Sequence, residues 1–298
     1  MKNILVAGSS NVDITHVGDF IPNEGQTLLA KSSYMSLGGK GLNQAVSSKR
    51  LSTGEVYFLS VIGDDFLSKY IINGLSKEKI NISYIRNTKE KNTGSALIYI
   101  NKNKKNHISV SPEANLLFGA NELNIFKKIS KKISVLLLQQ EIPLSVNIEL
   151  LKISNEFGIK TIYDPGPPTN SKNYDYFKFV DFLTPNKHEA EFILGKKIDG
   201  NELKAASELK KYGPKHVIIT LGSEGLVYSG DFDQFFEPIK TSSVDPVGSG
   251  DCFNGALASM INKGENISNA INFAQKAAAL STTKKGASQS FPFLNEIQ

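Results

Sequence analysis

The 298-residue chain has one cysteine, Cys252. A single cysteine excludes an intrachain disulfide and any cysteine-rich zinc site. The four histidines, His16, His107, His188 and His216, do not cluster, and no H-E-x-x-H occurs, so no structural zinc is expected. Long hydrophobic runs are missing as well. The first apolar run, Ile4 to Ala7, stops at Gly8. It is too short for a signal peptide or a membrane span, and nothing later nears the roughly 18 continuous apolar residues a span needs. A cytoplasmic protein with no membrane partner, in a reducing compartment, is the expectation. Neither G-x-x-x-x-G-K-[ST] nor a G-x-G-x-x-G after the first strand is present. The first absence excludes a P-loop enzyme, and the second weakens a dinucleotide-binding reading. Tyr and Phe are scattered with no stacking stripe, and the net charge of +5 is mild for this length, so no nucleic-acid partner is expected.

Apolar residues make up 40% and charged residues 21%, which is ordinary for a globular protein and excludes wholesale disorder. Short apolar runs, at 4–7, 56–62, 135–138, 159–163, 182–184 and 217–221, alternate with helical patterns at 43–51, 66–79, 144–157, 202–212, 253–261 and 267–283. Continuous apolar runs suit strands buried on both faces. The alternation predicts an α/β fold, a doubly wound, mostly parallel sheet flanked by helices, over one domain spanning 1–298. Ligands in that architecture bind at the carboxyl ends of the strands. Two segments break the pattern, approximately 13–35 and 93–112, with strand-like runs at 94–100 and 106–110 joined by a polar turn. They predict a small separate β sheet placed as a lid. Lys102, Lys104 and Lys105 in that turn read as a solvated patch.

Three constellations carry chemistry. In Val244-Asp245-Pro246-Val247-Gly248-Ser249-Gly250-Asp251-Cys252-Phe253-Asn254-Gly255, small residues open a helix. Its free backbone amides and dipole favour an anion, and Asp251 in the first turn can take a proton from a substrate hydroxyl. The same segment also fits a plain glycine-rich helix start. Gly38-Gly39-Lys40-Gly41-Leu42-Asn43-Gln44-Ala45 places three glycines, one cation and amides at another helix start. Asn43 can both donate to and accept from a polyol, although a solvated helix start fits too. Gly8-Ser9-Ser10-Asn11-Val12-Asp13 puts Asn11 and Asp13 on one side of an extended segment, where a carboxylate can accept from two adjacent hydroxyls. Asn and Asp are also common turn formers.

These motifs, with Thr184-Pro185-Asn186-Lys187-His188-Glu189-Ala190-Glu191, Thr220-Leu221-Gly222-Ser223-Glu224-Gly225, and Lys285-Gly286-Ala287 with Ser290, follow the order of a known family from residue 3 to about residue 292. The chain resembles the ribokinase-like, PfkB-type carbohydrate kinases. The resemblance implies phosphoryl transfer from ATP to a sugar, with D-ribose phosphorylated at O5. It implies Asp251 as base and Gly248, Ser249 and Gly250 as an anion hole. It implies Asn11, Asp13, Gly39, Lys40, Asn43, Glu141 and Asp251 as sugar contacts. Asn186, Thr220, Gly222, Ser223, Gly225, Gly250 and Gln275 are implied to border ATP, with Asn186 and Glu189 associated with Mg2+ through water. Asp245, Val247, Ser281, Lys284, Gly286 and Ser290 match a monovalent-cation site, with K+ as activator. The two β segments match a lid that often forms a homodimer interface.

The sequence also departs from that pattern. Asp164-Pro165-Gly166-Pro167 stands where N-P-A-P is common in the family, Glu113 stands where a glycine is usual, and Gln275-Lys276 replaces His-Ala. These departures leave open a fructokinase, a deoxysugar kinase or a nucleoside kinase, and outside the enzymes a sugar-sensing regulatory protein. Retention of Asp251, Asn186 and Glu189 speaks against the sensor. Cys252 reads as a packed helix residue and His188 as a surface or supporting residue.

Overall fold

The computed structural model describes residues 3–103, 105–169, 171 and 173–297; Lys104 of the predicted solvated patch lies outside them. In chain order the strands are β1 (Asn3–Ala7), β2 (Asn11–Val17), β3 (Ser32–Gly38), β4 (Val56–Gly63), β5 (Asn81–Thr88), β6 (Gly94–Ile100), β7 (Asn106–Ser111), β8 (Ile133–Leu138), β9 (Lys160–Tyr163), β10 (Phe182–Leu183), β11 (His216–Thr220), β12 (Leu226–Ser229) and β13 (Asp233–Phe236). The helices are α1 (Lys40–Leu51), α2 (Phe66–Lys77), α3 (Ala120–Ile129), α4 (Leu144–Phe157), α5 (Lys187–Leu194), α6 (Glu202–Lys210), α7 (Ser249–Lys263), α8 (Ile267–Ser281) and the short α9 (Leu294–Ile297). Among the described residues no helix is long and apolar enough to cross a membrane.

One nine-stranded sheet runs in the order β13-β12-β11-β10-β9-β8-β1-β4-β5. Pairing is parallel from β11 through to β5 and antiparallel at β12 and β13. A doubly wound frame is thus present as the sequence predicted. Alternate strand residues feed opposite layers, as the two-residue period requires. Ile4 and Val6 of β1 pack with Leu42 of α1, Leu75 of α2, Leu257 of α7 and Ile271 of α8. Leu5 and Ala7 pack with Phe126 of α3, Leu150 of α4, Ala190 of α5 and Leu209 of α6.

The second sheet has the order β3-β2-β6-β7 and is built from the two segments that broke the sequence pattern. Its outer pairs are antiparallel, but β2 and β6 run parallel, because β6 returns only after a full circuit through β4 and β5. Elements without a strong pattern escaped the sequence reading: β5, β12, β13, α3 and α5. The strands β5 and β13 are sheet edges, half-buried or exposed along most of their length, so they lack a continuous apolar run. α7 starts at Ser249 with Asp251 in its first turn, as the glycine-rich helix start predicted; the apolar helical pattern, from 253 on, marks only its later turns.

Helix starts show how local sequence and packing divide the work. α2 is capped by Asp65, whose side chain accepts from the Ser68 amide at 2.8 Å. α5 carries a reciprocal box between Asn186 and Glu189. α1 and α7 begin at Gly39 and Gly248, both in the left-handed half of backbone space and both without a capping side chain. α1 carries Gly41 in its first turn and Asn43, Ser47 and Ser48 beyond it, each less favourable to a helix than alanine, Gly41 by up to about 1 kcal/mol. Burial of Leu42, Val46 and Leu51, each contributing about 1.5–3 kcal/mol, outweighs it. The core therefore holds the glycine-rich first turn of α1 in place.

α1 and α7 touch closely at Gly255. A Cβ there would lie 2.5 Å from the Ser47 Cβ and 2.7 Å from the Ser48 backbone nitrogen. Cys252, one turn earlier, is fully buried, and burial pushes its thiol up to about 12, so it is the packed helix residue the sequence suggested. Gly255→Ala is expected to lower stability by about 1–3 kcal/mol through overpacking. Alanine is the better helix former by about 1 kcal/mol, so a stabilised variant in urea titration would refute the close contact.

Candidate functional site

The carboxyl ends of β1, β8, β9 and β10 and the first turns of α1 and α7 meet on one side of the main sheet. The small sheet borders the same region, since β2 follows β1 after three residues and β3 leads into α1. Asn11 opens β2 and is buried; its Oδ1 accepts from Asn115 Nδ2 at 2.8 Å. Asn115 also holds the Ser10 amide at 2.9 Å, which fixes the turn between β1 and β2. Asp13 lies against Gly38 across the β2–β3 pair, where any Cβ would collide with its carboxylate. Burial, with the Glu141 carboxylate adding to it, pushes Asp13 up to about 6. Glu141 accepts from the Ser9 hydroxyl and, at 3.0 Å, from the Lys40 amide.

Asp251 sits in the first turn of α7 and is buried. Asn43 Nδ2 donates to its Oδ2 at 3.0 Å and Gln44 Nε2 to its Oδ1 at 3.1 Å. Burial pushes this carboxyl up to about 7, while the Lys40 ammonium opposes that rise and Asp164 reinforces it. Asn43 Oδ1 is buried with no protein partner, so an acceptor remains for a bound hydroxyl. The N-terminal amides of α7 have no capping side chain, and nothing lies within 4 Å of where a Gly250 Cβ would stand. An anion can therefore approach that backbone closely. Gly248 holds the turn at a φ of 77°, and its position is packed against Ala287.

The residues expected around ATP gather beyond this point. Asn186 pairs with Thr220 in an isolated parallel bridge, and the Thr220 amide donates to the Pro185 carbonyl at 3.0 Å. Gly222, Ser223 and Gly225 form the tight turn between β11 and β12, with Gly222 and Ser223 exposed. Gln275 donates to the Glu237 carbonyl at 2.8 Å, and Glu237 packs on Gly225. Its side chain thus braces that turn.

Among the described residues no three His, Cys, Asp or Glu side chains cluster as a metal site. Asn186 Oδ1 accepts from the Glu189 amide, and Glu189 Oε2 from the Asn186 amide, at 2.9 and 2.8 Å. Glu189 Oε1 remains, directed at Gly166. Burial, reinforced by Asp164 and opposed by Lys40, raises the Glu189 carboxyl above its usual value. Three carboxylates, Asp164, Glu189 and Asp251, face one ammonium, Lys40. This imbalance fits a Mg2+ ion brought in by a polyphosphate, with Glu189 offering one oxygen, and does not fit a cage made by protein alone.

The six residues matched to a monovalent-cation site are partly drawn together. Asp245 accepts from the Val247 amide at 3.1 Å and from the Gly286 amide at 3.0 Å. Ser281 and Ser290 give their hydroxyl protons to the carbonyls of Ala278 and Ala287, each at 2.8 Å. The Lys284 ammonium is turned to Glu296 at 2.9 Å, so Lys284 has only its main chain to offer. Carbonyl and hydroxyl oxygens are hard donors of the kind that suit an alkali cation.

Asp164 is the residue the sequence reading left without a role. Two signals marked it without assigning one: its position after β9 and its place in the Asp164-Pro165-Gly166-Pro167 departure from N-P-A-P. It is 3% exposed and accepts from Lys40, Gln44 and Asn254. Glu113 has a φ of 46°, the conformation that suits the glycine usual there in the family. His188 is exposed on the first turn of α5, as expected.

A model of the pfkB family of carbohydrate kinases matches residues 1–294. A ribokinase from Lactococcus lactis subsp. lactis is 33% identical over 299 residues, covering 100% of this chain and 96% of its own. A deoxyribokinase from Salmonella typhimurium is 29% identical over 298 residues, covering 99% and 97%. The ribokinase of Arabidopsis thaliana, solved in complex with ribose and ATP, is 28% identical and superposes with a TM-score of 0.90, covering 99% of this chain and 97% of its own. The chain therefore belongs to the pfkB family of carbohydrate kinases and is an ATP-dependent phosphotransferase.

Proposed function

We propose that the acceptor is D-ribose and that its O5 hydroxyl receives the γ-phosphoryl group, with Asp251 as the base. One observation carries this reading: a buried carboxylate, held by Asn43 and Gln44, stands in the first turn of an uncapped helix. Asn11, Asp13, Asn43 and Glu141, with Gly39 and Lys40, hold and orient the sugar hydroxyls. Asp251 takes the proton from the attacking oxygen as the bond to phosphorus forms. The amides of Gly248, Ser249 and Gly250 hold charge that builds on the transferred group, a term that costs no reorganisation because the helix start is preset. Asn186, Thr220, Gly222, Ser223 and Gly225 seat ATP, with Gln275 steadying the Gly225 turn through the Glu237 carbonyl. Asn186 and Glu189 would hold a Mg2+ ion through water, and that ion would supply positive charge against the ATP phosphates. The small sheet closes over the sugar and excludes water, which limits ATP hydrolysis. Complexes of relatives with ribose, ATP or ADP support the pairing of sugar and nucleotide.

A coupled assay of ADP release against ribose, 2-deoxyribose, fructose and nucleosides tests the acceptor. Ribose should give the highest kcat/KM; a higher value for another acceptor overturns the assignment, and no sugar-dependent release at all would favour a sensor. Asp251→Asn is expected to lower kcat about 100- to 10,000-fold while ribose still binds. The base must be deprotonated, and its carboxyl lies near 7. Rate should therefore fall as pH drops below 7, approaching tenfold per unit.

The six residues Asp245, Val247, Ser281, Lys284, Gly286 and Ser290 are proposed to hold K+ and so to steady the Gly248 turn. Exchange of K+ for a bulky organic cation should lower kcat; an unchanged rate removes the assignment.

The small sheet is also proposed as a homodimer interface. Leu97, Ile108 and Val110 of β6 and β7 are each more than half exposed. A second copy would cover them, and also the unpaired edge of β7. Light scattering should give a dimer for the native protein and a monomer for Ile108→Glu; a native monomer refutes it.

A further inference from the structure

Asp164 follows β9 directly and is buried, yet no step so far uses it. One of its oxygens, Oδ2, takes Lys40 Nζ at 3.0 Å, Gln44 Nε2 at 2.9 Å and Asn254 Nδ2 at 3.3 Å. The other takes the Gly166 amide at 3.0 Å. A carboxylate so enclosed is held in one place.

Gln44 links this anchor to the base. Its Oε1 accepts from Gln139 Nε2 at 2.8 Å, and Gln139 is buried. The amide end is thereby set, and both protons of Gln44 Nε2 face carboxylates, one on Asp164 and one on Asp251. Lys40 is held in the same way. Its ammonium could neutralise Asp251 or Glu189, but its ion pair is with Asp164. Although burial opposes it, the carboxylates of Asp164, Asp251 and Glu189 hold Lys40 well above its usual range, so it stays charged.

We propose that Asp164 is a positioning residue that keeps Asp251 an effective base, by drawing Lys40 away from it and by fixing its carboxylate through Gln44. The inference rests on the reading of Asp251 as the base. The charged groups that act on Asp251 are Lys40 from α1 and Asp164 from the loop after β9, and Glu189 of α5 acts on Lys40 as well. Removing the negative charge of Asp164 takes away a repulsive neighbour and releases Lys40 toward Asp251. Both changes favour the ionised form of Asp251, so it holds a proton less tightly and accepts one less readily.

Asp164→Asn keeps the shape and removes the charge. The acid limb of kcat/KM for the sugar should move to lower pH by about one unit. The plateau above it should fall, since a weaker base transfers less well. KM for ATP should stay unchanged. Lys40→Gln removes the same ion pair from the other side and should move the limb to higher pH, because Asp251 loses its nearest cation. It is informative even if Asp164→Asn fails to fold. A residue that served only to hold the fold would change stability and move neither limb. If both limbs stay at the native pH while Asp251→Asn abolishes turnover, this inference fails and the base survives. If Asp251→Asn retains turnover, the base reading itself fails.

Discussion

The close approach of α1 and α7 is the constraint on which the site depends. Gly255 lets the two helices meet with backbone near backbone, and that contact puts Asn43 and Gln44 of α1 on the carboxylate of Asp251 in α7. The helices also begin alike, each at a glycine with positive φ and no capping side chain. Elsewhere α2 and α5 satisfy their first amides with Asp65 and Asn186. The difference matters because an uncapped helix start is both a stability cost and an anion site. Core burial on α1 covers that cost and leaves the amides available.

Charge in the site is arranged as deliberately as shape. Asp164, Glu189 and Asp251 lie around one Lys40, and burial raises both Asp251 and Glu189 above their usual values. Such a cluster is unfavourable to the empty protein and suited to a ligand that brings cations with its phosphates. It also raises the proton affinity of Asp251, as the base role proposed for it requires. Stability is thus given up where binding and transfer need it.

The fold was largely legible because its signals are local. Continuous apolar runs marked the buried parallel strands, and glycine-rich starts marked α1 and α7. The edges β5 and β13 were not legible, since a strand exposed along much of its length has no strong apolar run. Asn11, Asp13, Asn43 and Asp251 could be singled out, and the structure brings Asn43 and Asp251 into contact. Gln275 was marked for the nucleotide region, but only the structure shows that its side chain is spent on the Glu237 carbonyl.

By itself the sequence determined the layered α/β frame, the separate small sheet, the open start of α7 and the carboxylate in its first turn. Each follows from residues within a few positions of one another, through periodicity, helix-start chemistry and backbone sterics. Tertiary structure alone decided that Lys40 pairs with Asp164, that one amide of Gln44 joins Asp164 to Asp251, and that Glu189 faces Gly166. Those partners come from α1, α5, α7 and the loop after β9, far apart in the chain. A buried charge pairs with whatever the fold places within reach, and no local pattern records that choice.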